Sequence, residues 1–241
     1  MDKKKPYFRK QGLFRRLGRT LLKIILYGFL LSILYILFCK WINPPITITQ
    51  LDSFVTGKGL KRDYIPYDEM GSNIKLAVMA GEDQLFPDHN GFDFKSIQKA
   101  MKHNKKSKSL RGASTISQQV AKNVFLWQHG GYYRKGLEVS FTFMIETFWS
   151  KKRILEMYLN VAQTGPGIFG VQAAAKHYFN KNAKYLSRKE AAMIASCLPN
   201  PVLFTIHPVS RRVAYRYPWI MRQMHNLEAD PDIKELLETQ K

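Results

Sequence analysis

The longest apolar run in the chain, Leu21–Cys39, carries a charge only at Lys23. As a helix it would span about 28 Å, close to the ~30 Å hydrocarbon core of a bilayer. Lys23 lies in its first turn, where a long side chain can reach the interface. The run is preceded by Lys3, Lys4, Lys5, Arg9, Lys10, Arg15, Arg16 and Arg19 against a single acid, Asp2. It is followed by Lys40-Trp41-Ile42-Asn43-Pro44-Pro45, an interfacial anchor and a stiff exit, with no small-residue cleavage site. The pattern predicts an uncleaved membrane anchor at 21–39 with a basic cytoplasmic tail at 1–20. The rest of the chain then lies on the far side. No later segment is long and apolar enough to span.

Beyond the anchor the periodicity turns helical. Ile74–Ala80 reads as a short buried helix, and Phe94, Ile97, Ala100 and Met101 recur at helical spacing. Thr115 with Gln118 and Ser187 with Glu190 are capping-box patterns that start helices. Further helices are predicted from Arg134 through Phe141, Ile145, Phe148 and Trp149, over Lys151–Asn160, over Ala173–Phe179 and over Arg211–Asn226. In two of these, Arg134 with Glu138 and Lys152 with Glu156 are neighbours four residues apart. Gly165-Pro166-Gly167 predicts a tight turn. Ile46-Thr47-Ile48-Thr49 alternates as a short strand would. Gln50–Tyr67 reads as an irregular lead-in, and Lys102–Gly112, basic and short of apolar residues, as a mobile surface loop. The expected architecture is mainly α: a lead-in at 40–70 and one helical domain at 71–241.

Composition adds a constraint on partners. The 241 residues are 45% hydrophobic, enough for a core, and carry a formal charge of +20. That charge points to an anionic partner such as nucleic acid, a phospholipid surface or a phosphorylated substrate. Two cysteines, Cys39 and Cys197, make no disulfide framework.

Candidate chemistry concentrates between the first two helices of the domain, in Gly81-Glu82-Asp83-Gln84-Leu85-Phe86-Pro87-Asp88-His89-Asn90-Gly91-Phe92-Asp93. Glu82 falls where a buried helix ends, so its carboxylate would be partly buried yet open on one side. Such a site raises a carboxyl pKa toward the range of a general base. Composition alone fits helix capping or pairing with surface lysines at least as well. Downstream, Gly112-Ala113-Ser114-Thr115 followed by Gln118 and Lys122 puts hydroxyls, amides and a cation around a helix start, which suits a phosphate oxygen. The spacing is not that of a P-loop.

These motifs together resemble the family 51 glycosyltransferases, the peptidoglycan glycosyltransferases. The likeness rests on Glu82-Asp83-x-x-Phe86-x-x-His89-x-Gly91-x-Asp93, on Gly112-x-Ser114-Thr115-Ile116-x-Gln118-Gln119-x-x-Lys122-Asn123 and on Arg134-Lys135-x-x-Glu138. Ile154-Leu155-Glu156-Met157-Tyr158-Leu159-Asn160 and Gly165-Pro166-Gly167-Ile168-Phe169-Gly170 extend it, so that it covers roughly Ile74 to Pro201. The resemblance implies a lysozyme-like helical fold and polymerisation of lipid II, with a lipid-linked glycan chain as donor. It implies Glu82 as the base that activates the acceptor hydroxyl and Glu138 as the second essential glutamate. Ser114, Thr115, Gln118, Gln119, Lys122, Asn123, Arg134 and Lys135 would bind pyrophosphate and sugar. Asp83, Phe86 and His89 would shape the loop around Glu82, and Glu156 would be structural or a donor-site residue. Phe125, Leu126, Trp127, Tyr132 and Tyr133 are candidates for the family's membrane-dipping apolar surface, or for ordinary core. Gln163-Thr164 departs from the family pattern of an acid followed by an aromatic.

The resemblance places the enzyme in the bacterial inner membrane with a periplasmic catalytic domain. It leaves divisome or other cell-wall synthesis proteins open as partners. No metal ligand set is read from the sequence, and no cofactor is assigned; a divalent cation stays open beside Glu138. Two other classes compete. A lysozyme-like muramidase would also use two carboxylates, but glycan cleavage has no pyrophosphate for the cations to stabilise. A basic nucleic-acid-binding or scaffold protein would share the charge, but no nucleic-acid-binding signature is present, so no nucleic acid is expected. Ser72-Asn73-Ile74-Lys75 fits Ser-x-x-Lys, yet no Lys-Thr-Gly follows, and no transpeptidase is expected.

Overall fold

The computed structural model describes residues 7–107, 112–128 and 130–238, with side chains from Phe14 onward. Contacts divide the chain into two units, 1–42 and 43–241. The first unit is one helix, α1 (Tyr7–Cys39). Its 26-residue stretch Phe14–Cys39 is long and apolar enough to cross a membrane. The side chains of Leu21, Leu22, Ile24, Ile25, Leu31 and Leu34 are exposed along it. The helix begins well before the apolar run because Lys, Arg and Gln in the tail are good helix formers.

The second unit is helical, with one small sheet. Its elements are α2 (Ile48–Val55), β1 (Lys61–Arg62), α3 (Ser72–Glu82), α4 (Phe94–Lys106), α5 (Ile116–Phe125), α6 (Gly131–Phe148) and α7 (Lys151–Val161). There follow β2 (Gln163–Gly165), β3 (Ile168–Phe169), α8 (Val171–Phe179), α9 (Arg188–Cys197), α10 (Arg211–Leu227) and α11 (Pro231–Leu237). α3 is the central helix. Every residue from Ile74 to Ala80 is buried, so it is covered on all sides, chiefly by α9, α10 and α11. α5 packs on α6 and α7. The site lies where the C-terminus of α3 meets α5.

Close approach of α10 to α3 depends on Gly81. A β-carbon there would lie 3.1 Å from Ile220 Cδ1. The sheet has the order β1-β3-β2, with β1 parallel and β2 antiparallel to β3. The expected Gly165-Pro166-Gly167 turn joins β2 to β3, with Gly167 at φ +67°. That is the left-handed position a glycine fills without strain.

Both predicted capping boxes are present, Thr115 with Gln118 and Ser187 with Glu190. Several local expectations are corrected. Ile46–Thr49 is not a strand: Thr47 and Gln50 form a third capping box that starts α2. The lead-in at Gln50–Tyr67 accordingly holds most of α2 and all of β1. The basic segment expected as a loop is helical through Lys106, since lysine favours helix, and the extended Ser107 (φ −128°, ψ 141°) ends it. Residues 108–111 of that segment lie outside the described residues. Glu156 pairs with Arg153 at 3.0 Å, not with Lys152, whose Nζ donates to the Glu238 carbonyl at 3.5 Å. Of the apolar positions on α4 only Ala100 is buried; Phe94 and Met101 are exposed.

Candidate active site

Glu82 is the last residue of α3, and Asp83 turns the chain out of the helix with φ −161°. The Glu82 carboxylate is held on both oxygens. Gln119 Nε2, one turn into α5, donates to Oε2 at 2.9 Å. Arg216 Nη2, on α10, donates to Oε1 at 3.1 Å and to the Gly81 carbonyl at 2.8 Å. Tyr158 on α7 donates its hydroxyl to Gln119 Oε1 at 2.9 Å, which leaves the Gln119 amide nitrogen facing the carboxylate. Burial and the Glu82 charge push the Tyr158 hydroxyl well above its ordinary pKa, so it stays a donor. The Glu82 side chain is 10% exposed. Burial raises its pKa, the neighbouring Asp83 charge adds to this, and Gln119, Arg216 and Lys122 pull the other way. The carboxyl thus ends above its usual range while remaining oriented.

The loop that follows is clamped from several directions. His89 Nδ1 accepts from the Gly91 N–H at 3.1 Å, so Nε2 carries the proton it shares with Asp83, 3.0 and 3.1 Å from the two carboxylate oxygens. Asp83 Oδ2 also accepts from the Ile116 N–H at 2.9 Å, placing an anion at the N-terminus of α5. Thr115 donates its hydroxyl to the Gly91 carbonyl at 2.7 Å. Gly91 has φ +85°, and a β-carbon there would lie 2.7 Å from Thr142 Cγ2. Phe86 is fully buried, and Lys151 sits 4.7 Å from its ring centroid. Lys151 also donates to Glu146 at 2.9 Å and to the His89 carbonyl, and Ser117 bonds the same Glu146 oxygen. Asp83, Phe86 and His89 therefore hold the loop on which Glu82 ends.

The cations gather one helical turn beyond Gln119. Glu138, 2% exposed, accepts from Arg134 Nη1 at 2.6 Å and from Lys135 Nζ. Lys122 on α5 is half-buried, and burial lowers its pKa. The charges of Glu138 and Glu82 raise it, while Arg134 and Lys135 lower it further. Lys122 thus lies within electrostatic reach of both carboxylates. Two guanidinium nitrogens at this site, Arg134 Nε and Arg216 Nε, are buried donors without a hydrogen-bond partner among the described residues. A cleft of about 150 Å³ is lined in part by Gln119, Lys122, Asn123, Tyr158 and Gln163.

The structure brings together Glu82, Gln119, Lys122, Arg134, Lys135 and Glu138, with Asn123 on the cleft wall. Ser114 is exposed just before α5. Thr115 and Gln118 are both buried, and their side chains cap each other's backbone. Gln119 and Lys122 both line the cleft. Among the aromatic candidates, Leu126 is core and Phe125 stacks on Phe141 at 5.0 Å. Trp127, Tyr132 and Tyr133 are exposed. Sequence reasoning missed Arg216 and Tyr158. Arg216 lies 134 positions from Glu82 in a helix read only as basic, and Tyr158 sits in the helix predicted over Lys151–Asn160, where it was given no role. Neither had a local signal.

An oriented, raised-pKa acid beside a group of cations is an arrangement suited to acid–base chemistry on an anionic substrate. Residues 48–225 match the transglycosylase family model. Proteins named biosynthetic peptidoglycan transglycosylase are similar over most of the chain. The one from Pseudomonas aeruginosa is 44% identical over 224 residues, 90% of this chain and 97% of that protein. The one from Pseudomonas putida strain F1 is 47% identical over 221 residues, 89% and 92%. The one from Aeromonas hydrophila is 45% identical over 222 residues, 90% and 94%. The chain belongs to the transglycosylase family, and it is a glycosyl-transferring enzyme.

Proposed function

We propose that this enzyme polymerises lipid II into β-1,4-linked glycan strands of peptidoglycan and has no transpeptidase activity. Glu82 accepts the proton of the acceptor GlcNAc 4-hydroxyl as that oxygen attacks C1 of the lipid-linked donor MurNAc. The new C1–O bond forms on the face opposite the departing group, so the anomeric centre inverts. The bond from C1 to the pyrophosphate oxygen breaks, and undecaprenyl pyrophosphate leaves with the electron pair. Lys122, Arg134 and Lys135 offset the charge that develops on the diphosphate; fixed cations in a site with little water act strongly on such charge. Gln119 and Arg216 aim the Glu82 carboxylate, and each of its oxygens keeps a lone pair for the incoming hydroxyl. Both Glu138 oxygens already accept from cations, so no step is routed through a divalent ion. Lys75, the lysine of Ser72-x-x-Lys75, lies buried on the Tyr67 ring, which supports the absence of a transpeptidase nucleophile there.

The observation that carries this reading is the Glu82 carboxylate held on Gln119 of α5, within one turn of a lysine that senses both glutamates. The basic tail and apolar α1 support a single-pass inner-membrane protein with its N-terminus in the cytoplasm and its catalytic unit in the periplasm. The test is incubation of purified full-length protein with lipid II. Growth of glycan polymer is expected; shortening of mature glycan instead would favour a muramidase. Glu82→Gln should abolish polymer while leaving the circular dichroism spectrum and the thermal midpoint close to wild type. Near-normal turnover by that variant would remove Glu82 from the base role.

A further inference from the structure

α4 presents a face that the proposed chemistry does not use. Its sequence, Phe94-Lys95-Ser96-Ile97-Gln98-Lys99-Ala100-Met101-Lys102-His103-Asn104-Lys105-Lys106, contains no acid. Lys95, Lys99, Lys102 and Lys106 recur at i, i+4, i+7 and i+11, so they form one stripe along the helix. All four are exposed, and none has an ion-pair partner among the described residues. Beside the stripe runs a narrow apolar edge, Phe94 at 69% exposure and Met101 at 57%. Ala100 marks the opposite, buried side.

A stripe of like charges on a folded helix repels itself, and two large apolar side chains in water gain nothing. Both features become favourable against one kind of surface: anionic headgroups for the lysines and the acyl boundary for Phe94 and Met101. A polyanion in solution would satisfy the lysines alone and leave the apolar edge wet. The same chain carries a helix long and apolar enough to cross a bilayer, which would keep such a surface at hand.

We propose that α4 docks on anionic phospholipid, with Lys95, Lys99, Lys102 and Lys106 on the headgroups and Phe94 and Met101 at the interface. The next helix in the chain, α5, has its N-terminal end tied to the loop after Glu82 by Asp83. This surface is independent of the glycosyl-transfer reading and is tested without activity.

In the test, Gln98→Cys, on the exposed side of α4 between Phe94 and Met101, is labelled in full-length protein with a polarity-sensitive fluorophore. The protein is reconstituted into vesicles of phosphatidylcholine alone or of phosphatidylcholine with phosphatidylglycerol. A blue-shifted, brighter signal is expected only with phosphatidylglycerol, and it should fade at high salt, where screening shortens to about 3 Å. Each Lys→Gln change should weaken docking about fivefold, so the fourfold variant should lose the response altogether. Phe94→Ser with Met101→Ser should reduce the blue shift while keeping the salt dependence. Signals that are equal in both lipids, or a phosphatidylglycerol response that survives the fourfold substitution, would overturn the proposal. So would a response that soluble glycan fragments elicit as well as the lipid does.

Discussion

Lys75→Met should stabilise the protein at neutral pH and lose that advantage in alkali. Lys75 is fully buried in the middle of α3, and its Nζ has no hydrogen-bond partner among the described residues. Its nearest compensation is the Tyr67 ring, whose centroid lies 3.6 Å away. Burial lowers its pKa from the ordinary 10.5 to about 8; the nearby Lys152 charge adds to the fall, and Asp68 and Glu156 oppose it. At 1.36 kcal/mol per pH unit, keeping this ammonium charged in the fold costs about 3 kcal/mol. The cation–π contact returns roughly 1–2 kcal/mol of that when desolvated. Methionine fills a similar volume without a charge, so a net gain of about 1–2 kcal/mol is expected at pH 7. The direction with pH follows from proton counts. Between about 8 and 10.5 the unfolded chain still binds the Lys75 proton while the folded chain has released it. Wild-type stability attributable to this site therefore rises through that window, and above it neither state is charged. The Tyr67 hydroxyl, raised by burial, lowers stability above about pH 10, where the unfolded chain releases that proton and the folded chain keeps it, but it does so in wild type and variant alike and drops out of their difference. Urea unfolding of full-length wild type and variant in one detergent, followed at pH 7, 9 and 11, measures the difference directly. A difference that stays constant across those pH values, or a variant less stable at pH 7 by more than about 1 kcal/mol, would refute the reasoning.

Two further substitutions probe the site itself. Arg216→Ala removes one of the groups that hold the Glu82 pKa down, so the acid limb of the pH–rate profile should move to higher pH; an unmoved limb with reduced turnover would mean Arg216 acts only in packing. Gly91→Ala places a side chain at φ +85° and against Thr142, and should cost about 2–3 kcal/mol of stability by chemical denaturation, with a loss below about 0.5 kcal/mol contradicting the clamped loop.

What could be read in the sequence was what residues do to their immediate neighbours. The boxes at Thr115–Gln118 and Ser187–Glu190 are contacts between a side chain and a backbone three residues away, so their spelling is enough. The same spelling stood at Thr47–Gln50, but the alternation Ile46-Thr47-Ile48-Thr49 masked it. Two apolar positions are too few to establish a period, and both Ile46 and Ile48 are exposed, so neither periodicity was being selected by a core. Lys102–Lys106 was misread because polarity was taken for irregularity. Glu82, Lys122 and the Arg134–Glu138 group were legible as motifs. Their convergence was not, since Arg216 and Tyr158 reach Glu82 and Gln119 only after α3, α5, α7 and α10 have packed.

That convergence gives two buried glutamates unlike surroundings, and the difference is what a single transfer reaction requires. Glu138 meets two cationic side chains from its own helix, at i−4 and i−3, so its charge is matched locally and needs no tertiary partner. Glu82 has no such local match. Its partners come from α5 and α10, one of them the neutral amide of Gln119, and burial outweighs them enough to raise its pKa. A carboxylate matched by two cations anchors those cations; a carboxylate under-compensated by its surroundings is ready to take a proton. Lys122, placed between these influences, has its charge disfavoured by burial and by Arg134 and Lys135, and favoured by both glutamates. A diphosphate entering beside it would relieve the repulsion among the cations and hold Lys122 protonated. In the proposed reaction, donor binding therefore strengthens the cationic side of the site before the acceptor hydroxyl gives up its proton to Glu82.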